Sequence, residues 1–178
     1  MASLLLTPAP DFTQPLDLLS ACHRRINGFI DMLLRLPEHL LQHGADADAI
    51  QAAERALKYF NSSGQHHHED EEQDLFPMLR EAAQSAGNGE ILMLLEDLLA
   101  QHAEMNQAWQ DLRTCLVALT RGEADGAIEA RVRHFAELYR KHIPLEENFA
   151  LPYAERTLSS HQIENLGKCM ARRRGIAP

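Results

Sequence analysis

The chain has 178 residues, 45% of them hydrophobic and 24% charged, which is enough for one domain with a substantial core. Its formal net charge is −9 and its sequence pI is about 5.5, and so acidic a surface repels phosphate backbones and argues against nucleic acid as a partner. Aromatic residues are only 6% of the chain, and the dominant residues favour helix over strand, which predicts an all-α fold.

The cysteines and the apolar runs indicate a cellular compartment. Cys22, Cys115 and Cys169 are odd in number and widely spaced, unlike the cysteines of a disulfide framework. No apolar run approaches the roughly 20 residues that cross a bilayer, and residues 1–10 lack the basic start of a signal peptide. We therefore expect a cytoplasmic protein with no membrane partner.

The first half of the chain predicts two long helical segments. The first covers residues 15–43 and stops at Gly44, because glycine readily adopts the left-handed conformation that ends helices. The second covers residues 46–85. The positions where these segments are expected to kink or break are Pro37, Gly64 and Pro77.

The second half predicts two more long segments and a short helix. After a turn at residues 87–89, the third segment covers 90–121 and the fourth covers 125–158. The irregular positions in the fourth segment are Pro144 and Pro152. A last helix is expected from Ser159, which has capping-box spacing to Gln162.

Short loops between long amphipathic helices imply antiparallel neighbours, so the expected fold is an up-down-up-down four-helix bundle with a short extra C-terminal helix. The expected organisation is an N-terminal extension over residues 1–14, the bundle over 15–158, and a short helix with a basic tail over 159–178. We expect the arginines of the tail, residues 172–174, to be solubilising.

An internal repeat carries the chemistry. The pattern H-x-x-x-E-E-x-x-x-x-P begins at His67 in the second segment and at His142 in the fourth. Residues i and i+4 share one face of a helix, so His67 can act with Glu71, and His142 with Glu146. An imidazole and a carboxylate so placed can reach the same metal ion, and a carboxylate can also bridge two ions.

Apolar residues at helical spacing predict that both pairs face the core. The stripe around His67 contains Leu57, Phe60, Leu75 and Met78. The stripe around His142 contains Phe135, Leu138, Phe149 and Tyr153. Buried histidines and glutamates need a partner, because an unpaired buried charge is costly, and a bound cation would be one.

The first and third segments each add one histidine on an apolar face, His23 and His102. Alone, such a residue is usually structural, but one in every segment points to a shared site. The pair His68 and Glu72 also has i,i+4 spacing, so the register in the second segment has an alternative. The remaining histidines are expected to be structural, and the side chain of His68 is expected to point away from the stripe around His67. Among residues 69–72 we expect only Glu71 to be a metal ligand and the other residues to form a solvated face.

Four imidazoles and two carboxylates form a mixed nitrogen and oxygen donor set without thiolate, which suits iron, manganese or zinc. Zinc sites usually have about four ligands. Six ligands with carboxylates that can bridge favour two non-haem iron ions, with a mixed iron–manganese centre or zinc as alternatives. Open coordination positions would accept a small ligand such as O2, NO or peroxide.

These residues resemble the hemerythrin-like HHE cation-binding family over roughly residues 15–155. The resemblance implies a di-iron site in a four-helix bundle, with Glu71 and Glu146 bridging the ions. It implies that the terminal ligands are His23, His67, His102 and His142.

Two departures separate the chain from the oxygen-carrying members. Those have a second histidine one turn after the third-helix histidine, where this chain has Asn106, and they end with a His-x-x-x-x-Asp pair, where this chain has His142-x-x-x-Glu146. The set is therefore closer to the branch with four histidines and two glutamates, which includes iron–sulfur repair proteins and iron sensors. A ferritin-like site is not expected, because no Glu-x-x-His occurs in the sequence.

The expected function is a di-iron protein that binds or reacts with a small diatomic or peroxidic ligand in sensing, stress response or iron supply. The alternatives are a di-iron redox enzyme, peroxidase-like or NO-reducing, with Tyr153 or Trp109 near the centre, and a structural or metal-storage bundle. No protein partner is indicated.

Overall fold

The four predicted segments fold as four antiparallel arms, seen in a computed structural model that describes residues 9–177. The first arm is α1, the second is α2 to α4, the third is α5, and the fourth is α6 and α7. The helices are α1 (Pro15–His43), α2 (Ala47–Phe60), α3 (Ser63–Asp70), α4 (Phe76–Ala86), α5 (Gly89–Leu119), α6 (Ile128–Leu145), α7 (Leu151–Thr157) and α8 (Ser160–Arg173).

Each arm packs against the arms before and after it, and α1 also packs against α6, which closes the bundle. The predicted up-down-up-down bundle with an extra C-terminal helix is confirmed, and residues 9–177 contain no strand. Within the same range, no helix is long and apolar enough to span a membrane. Of the predicted extension, residues 1–8 lie outside the described residues.

Most helix ends follow the predicted signals. Gly44, at φ 73°, ends α1, and its N–H donates to the carbonyl of Leu40 at 2.9 Å. Ser159 and Gln162 form the predicted capping box of α8. Pro37 does not break α1, which continues to His43. The second arm is interrupted at residues 61–62, between α2 and α3, and not at Gly64.

A π-helical turn follows each histidine of the repeat. The turns cover Glu71–Leu75 and Glu146–Ala150, and each ends shortly before a proline of the repeat. Proline cannot donate a backbone hydrogen bond and clashes with the carbonyl four residues earlier, so a wider turn relieves the clash. The extra residue shifts the register of the fourth arm: Phe149, predicted to face the core, is 54% exposed, while Ala150 is buried.

Two apolar clusters fill the bundle, one on each side of a polar layer. The change of cluster is visible along α1, where Leu19 belongs to one cluster, Ile26 belongs to the other, and His23 lies between them. The same order holds on the second arm, where Phe60 and Leu75 lie on opposite sides of His67 in the sequence. The polar layer therefore lies near the middle of the bundle, between the two apolar clusters.

The prediction that the arginines of the tail are solubilising is wrong for two of the three. The Arg174 guanidinium donates to both oxygens of Asp70, at 3.1 and 2.7 Å, and Arg173 pairs with Asp70 and with Asp74. Asp70 is fully buried, so the prediction that it belongs to a solvated acidic face is also wrong. Only Arg172 stays exposed. These ion pairs, here called the Asp70 clamp, fasten α8 to the second arm.

Candidate metal centre

The polar layer contains all six residues predicted as metal ligands. Each is 1–2% exposed, and every arm contributes at least one of them. The six are His23, His67, Glu71, His102, His142 and Glu146. The structure therefore brings together residues up to 123 positions apart in the sequence, although metal binding by each of them stays a prediction.

One half of the layer is formed around the first and second arms. His23 Nε2 lies 3.0 Å from Glu146 Oε2 and 3.6 Å from Glu71 Oε1. His67 Nε2 lies 3.3 Å from the same Glu71 oxygen. We refer to this set as the His23–His67 half.

The other half is formed around the third and fourth arms. His142 Nε2 lies 3.1 Å from Glu146 Oε1, and His102 Nε2 lies 3.6 Å from Glu71 Oε2. The two imidazole nitrogens are 3.0 Å apart. We refer to this set as the His102–His142 half.

The two glutamates belong to both halves. Each carboxylate presents one oxygen to the His23–His67 half and its other oxygen to the His102–His142 half. In each half, two histidines and the two glutamates offer four donor atoms that lie within 4.8 Å of one another. This arrangement can hold two cations that share two carboxylates.

The layer has polar atoms that its own side chains do not satisfy. Both carboxylate oxygens of Glu71 and of Glu146, and Nε2 of His23, are buried without a hydrogen bond of good geometry among the described residues, although imidazole nitrogens lie 3.0–3.6 Å from the carboxylate oxygens. A buried charge without a partner costs several kcal/mol, ~3–5 when a pair is broken. Nitrogen and oxygen donors with unsatisfied lone pairs fit a first-row metal cation, so the residues present fit the metal that the resemblance implies.

The charges of the metal-free layer compete for protons. Burial disfavours a charged His23, but the carboxylates of Glu146, Glu147 and Glu71 outweigh it and raise the pKa of His23 to about 12. Burial and the charge of Glu146 raise the pKa of Glu71 to about 7. Burial also lowers the pKa of His67, which favours the neutral ring that a metal ion requires.

Three of the four histidines are held by their outer ring nitrogen. The Nδ1–H of His23 donates to Glu147 at 2.5 Å, and that of His102 donates to Glu72 at 2.8 Å. Nδ1 of His142 lies 3.0 Å from Gln101 Oε1. These partners were not predicted from the sequence, although a second glutamate in both copies of the repeat was a signal for two of them.

The two possible registers of the second arm lie in different surroundings. Glu71 lies inside the layer, whereas the side chain of Glu72 is 38% exposed and contacts the outer nitrogen of His102. His68, Glu72 and His102 form a third group of possible metal ligands, whose donor atoms also lie within 4.8 Å of one another. His68, predicted to point away from the buried stripe, is instead 8% exposed, and its ring stacks on that of His102 at 4.1 Å. Its Nε2 lies 3.4 Å from the Tyr139 hydroxyl. The histidines outside all candidate metal-binding groups are His39, His43, His66, His134 and His161.

The comparisons with known proteins agree with this geometry. A family model described as the hemerythrin HHE cation binding domain matches residues 14–154, which include all six residues of the layer. An uncharacterized protein of Haemophilus influenzae is 29% identical over 165 residues, 93% of this chain and 92% of its own length.

Proposed function

The chain belongs to the hemerythrin HHE cation-binding family, and from this premise we propose that it holds two non-haem iron ions that bind or react with O2, NO or peroxide. The observation that carries the proposal is the sharing of Glu71 and Glu146 between the two halves of the layer. A single cation would use one half and leave carboxylate oxygens of the other half buried and unpaired, at a cost that a second cation removes.

The choice of iron rests on the donor set and on the family. Neutral imidazoles with carboxylates suit iron, manganese or zinc, and no cysteine belongs to either half. Two ions that share carboxylates favour iron, or iron with manganese, over zinc. When bound, iron would supply redox chemistry and coordination positions for a small ligand, while the chain fixes the ligands and excludes water.

A small ligand is favoured by the space beside the centre. A narrow cavity of about 10 Å³ is lined by residues on the surface, such as Asn106, and by His68 and Tyr139 next to the His102–His142 half. That volume is about the size that holds one water molecule, whereas pockets for drug-sized molecules usually measure ~300–1,000 Å³, so the cavity suits a diatomic molecule or peroxide better than an organic substrate. Asn106 is exposed and belongs to neither half, in keeping with the difference from the oxygen-carrying members.

We propose a role in sensing, stress response or iron supply in the cytoplasm. Turnover of peroxide or NO would instead indicate an enzyme. Metal that stabilises the fold without changing its spectrum on addition of these molecules would indicate a structural or storage role.

The first test is the metal content of untagged protein purified from iron-replete cells, measured by elemental analysis. We expect close to two irons per chain, followed by changes in the optical spectrum when O2, NO or peroxide is added. Protein that takes up no stoichiometric metal after anaerobic reconstitution with Fe(II) would contradict the proposal. Stoichiometric zinc or manganese in place of iron would contradict the choice of metal alone.

A further inference from the structure

The second glutamate of each repeat lies outside the two halves of the layer, yet both copies of the repeat contain it. The side chains of Glu72 and Glu147 are 38% and 35% exposed, whereas Glu71 and Glu146, the residues before them, are buried. An exposed glutamate on a helix normally remains solvated. Both of these side chains instead reach a buried imidazole on another arm.

The two contacts run crosswise between the halves. Glu72 follows His67 in its copy of the repeat but holds His102, which belongs to the opposite half. Glu147 follows His142 in its copy but holds His23, again in the opposite half. Each copy of the repeat therefore contributes a histidine to one half and supports a histidine of the other.

The chemical effect of such a contact follows from the acceptor. An ionised carboxylate can only accept, so each supported ring keeps a proton on Nδ1, and a metal ion would bind at Nε2, which faces the layer, once any proton there has been released. A carboxylate on the outer nitrogen fixes the orientation of a ligating histidine and raises its basicity, and its loss typically lowers metal affinity by ~10–100-fold.

The two halves are not supported equally. Both rings of the His102–His142 half have an acceptor at Nδ1, Glu72 for one and Gln101 for the other. The ring of His102 is also nearly parallel to the rings of His68 and Phe76, with interplanar angles of 14° and 20°. In the His23–His67 half only His23 has such an acceptor, because Nδ1 of His67 is buried without a partner among residues 9–177.

We propose that Glu72 and Glu147 are positioning residues, each supporting the half opposite to its own histidine, and that the better supported His102–His142 half binds its metal ion more tightly and fills first. This inference rests on the proposed function, because it concerns the affinity of the same centre.

The experiment is an anaerobic titration of the full-length metal-free protein with Fe(II) against a competing coloured chelator, for wild type, Glu72→Gln and Glu147→Gln. We expect two binding steps in the wild type. Glu72→Gln should weaken the first, tighter step by ~10–100-fold, and Glu147→Gln should weaken the second by a similar factor. Glu81→Gln, an exposed change on the second arm, is the matched control and should alter neither step.

Double variants assign each effect to a half. Adding Glu72→Gln to His102→Ala should cause no further loss, since the supported ring is already absent, whereas adding it to His23→Ala should cause the full loss. Mössbauer spectra of protein loaded with one equivalent of ⁵⁷Fe(II) should change in Glu72→Gln and stay as in wild type in Glu147→Gln, which a merely structural role would not produce.

The outcomes separate this inference from the proposed function. Two ions held with equal affinity in wild type, or two steps that both variants weaken alike, would overturn the crosswise assignment while leaving the centre in place. A wild-type protein that takes up no iron would overturn the proposed function and this inference together.

Discussion

Two neighbouring residues on the second arm each have a buried carboxylate, but the two carboxylates have different partners. Asp70 is fully buried within the Asp70 clamp, where the guanidinium groups of Arg173 and Arg174 satisfy its oxygens. Glu71, the next residue, is equally buried, but its oxygens have no hydrogen-bond partner among the described residues. The first carboxylate is paired within the chain, whereas the second lies among the nitrogens of three histidines on three arms.

The difference separates a structural charge from a functional one. A buried ion pair that is complete within the chain stabilises the fold only as long as both partners remain. A buried carboxylate without such a partner lowers the stability of the metal-free protein, and a cation that binds to it removes this destabilisation. We therefore expect a substitution of Asp70 to lower the free energy of unfolding, and a substitution of Glu71 to lower the affinity for metal.

The largest expected effect is that of Glu71→Gln. Because Glu71 faces both halves, affinity for both metal ions should fall, each by more than ~100-fold, beyond the usual cost of losing an outer partner. The free energy of unfolding of the metal-free variant should be unchanged or higher, because a neutral amide replaces a carboxyl group whose pKa burial has raised to about 7. Elemental analysis and urea denaturation measure the two quantities, with Glu81→Gln as the control. Retention of both irons would contradict the shared role of Glu71.

Asp70→Asn should lower the free energy of unfolding rather than the affinity for metal. The two arginines lose a buried partner, so the metal-free protein should be less stable by about 3 kcal/mol, near the lower end of the range for broken buried pairs. The lower end is expected because the arginine side chains keep 15% and 19% exposure and Arg173 keeps Asp74. Urea denaturation of metal-free protein measures the loss. Arg172→Ala, on an exposed neighbour outside the clamp, should change stability by less than ~0.5 kcal/mol. If Asp70→Asn left the protein as stable as wild type, the clamp would be energetically neutral.

The smallest expected effect is the pH dependence of metal uptake. With a pKa of about 12, His23 is protonated in the metal-free protein at neutral pH, and with a pKa of about 7, Glu71 is partly protonated there. Both protons must leave when a metal binds, so affinity should rise with pH, by up to about tenfold per unit for each proton released. The slope should be steeper below pH 7, where Glu71 also releases a proton, than above it.

Calorimetric titration in two buffers of different ionisation enthalpy counts these protons. We expect one to two released per chain at pH 7 in the wild type and in Glu81→Gln, and fewer in His23→Ala. Metal uptake that releases no proton at pH 7 would contradict the protonation assigned to the layer.

The arms and the residues of the layer could be predicted from the sequence, because both follow from local geometry. Spacing of i and i+4 puts His67 with Glu71, and His142 with Glu146, on one helix face whatever the rest of the fold does. The prolines at the ends of both repeats are also a local signal for the π-turns, and the helical period of 3.6 residues does not hold through such a turn, so the prediction that Phe149 faces the core is wrong.

Which charged groups meet across the arms depends on how the bundle packs. Asp70 and Arg174 are 104 positions apart, and Glu147 and His23 are 124 apart, so no helical period relates them. The burial of His68 was decided in the same way, because its ring is covered by His102 from another arm. A helix fixes which side chains share a face, but packing fixes what that face meets, and the partners of the layer are therefore a property of the bundle.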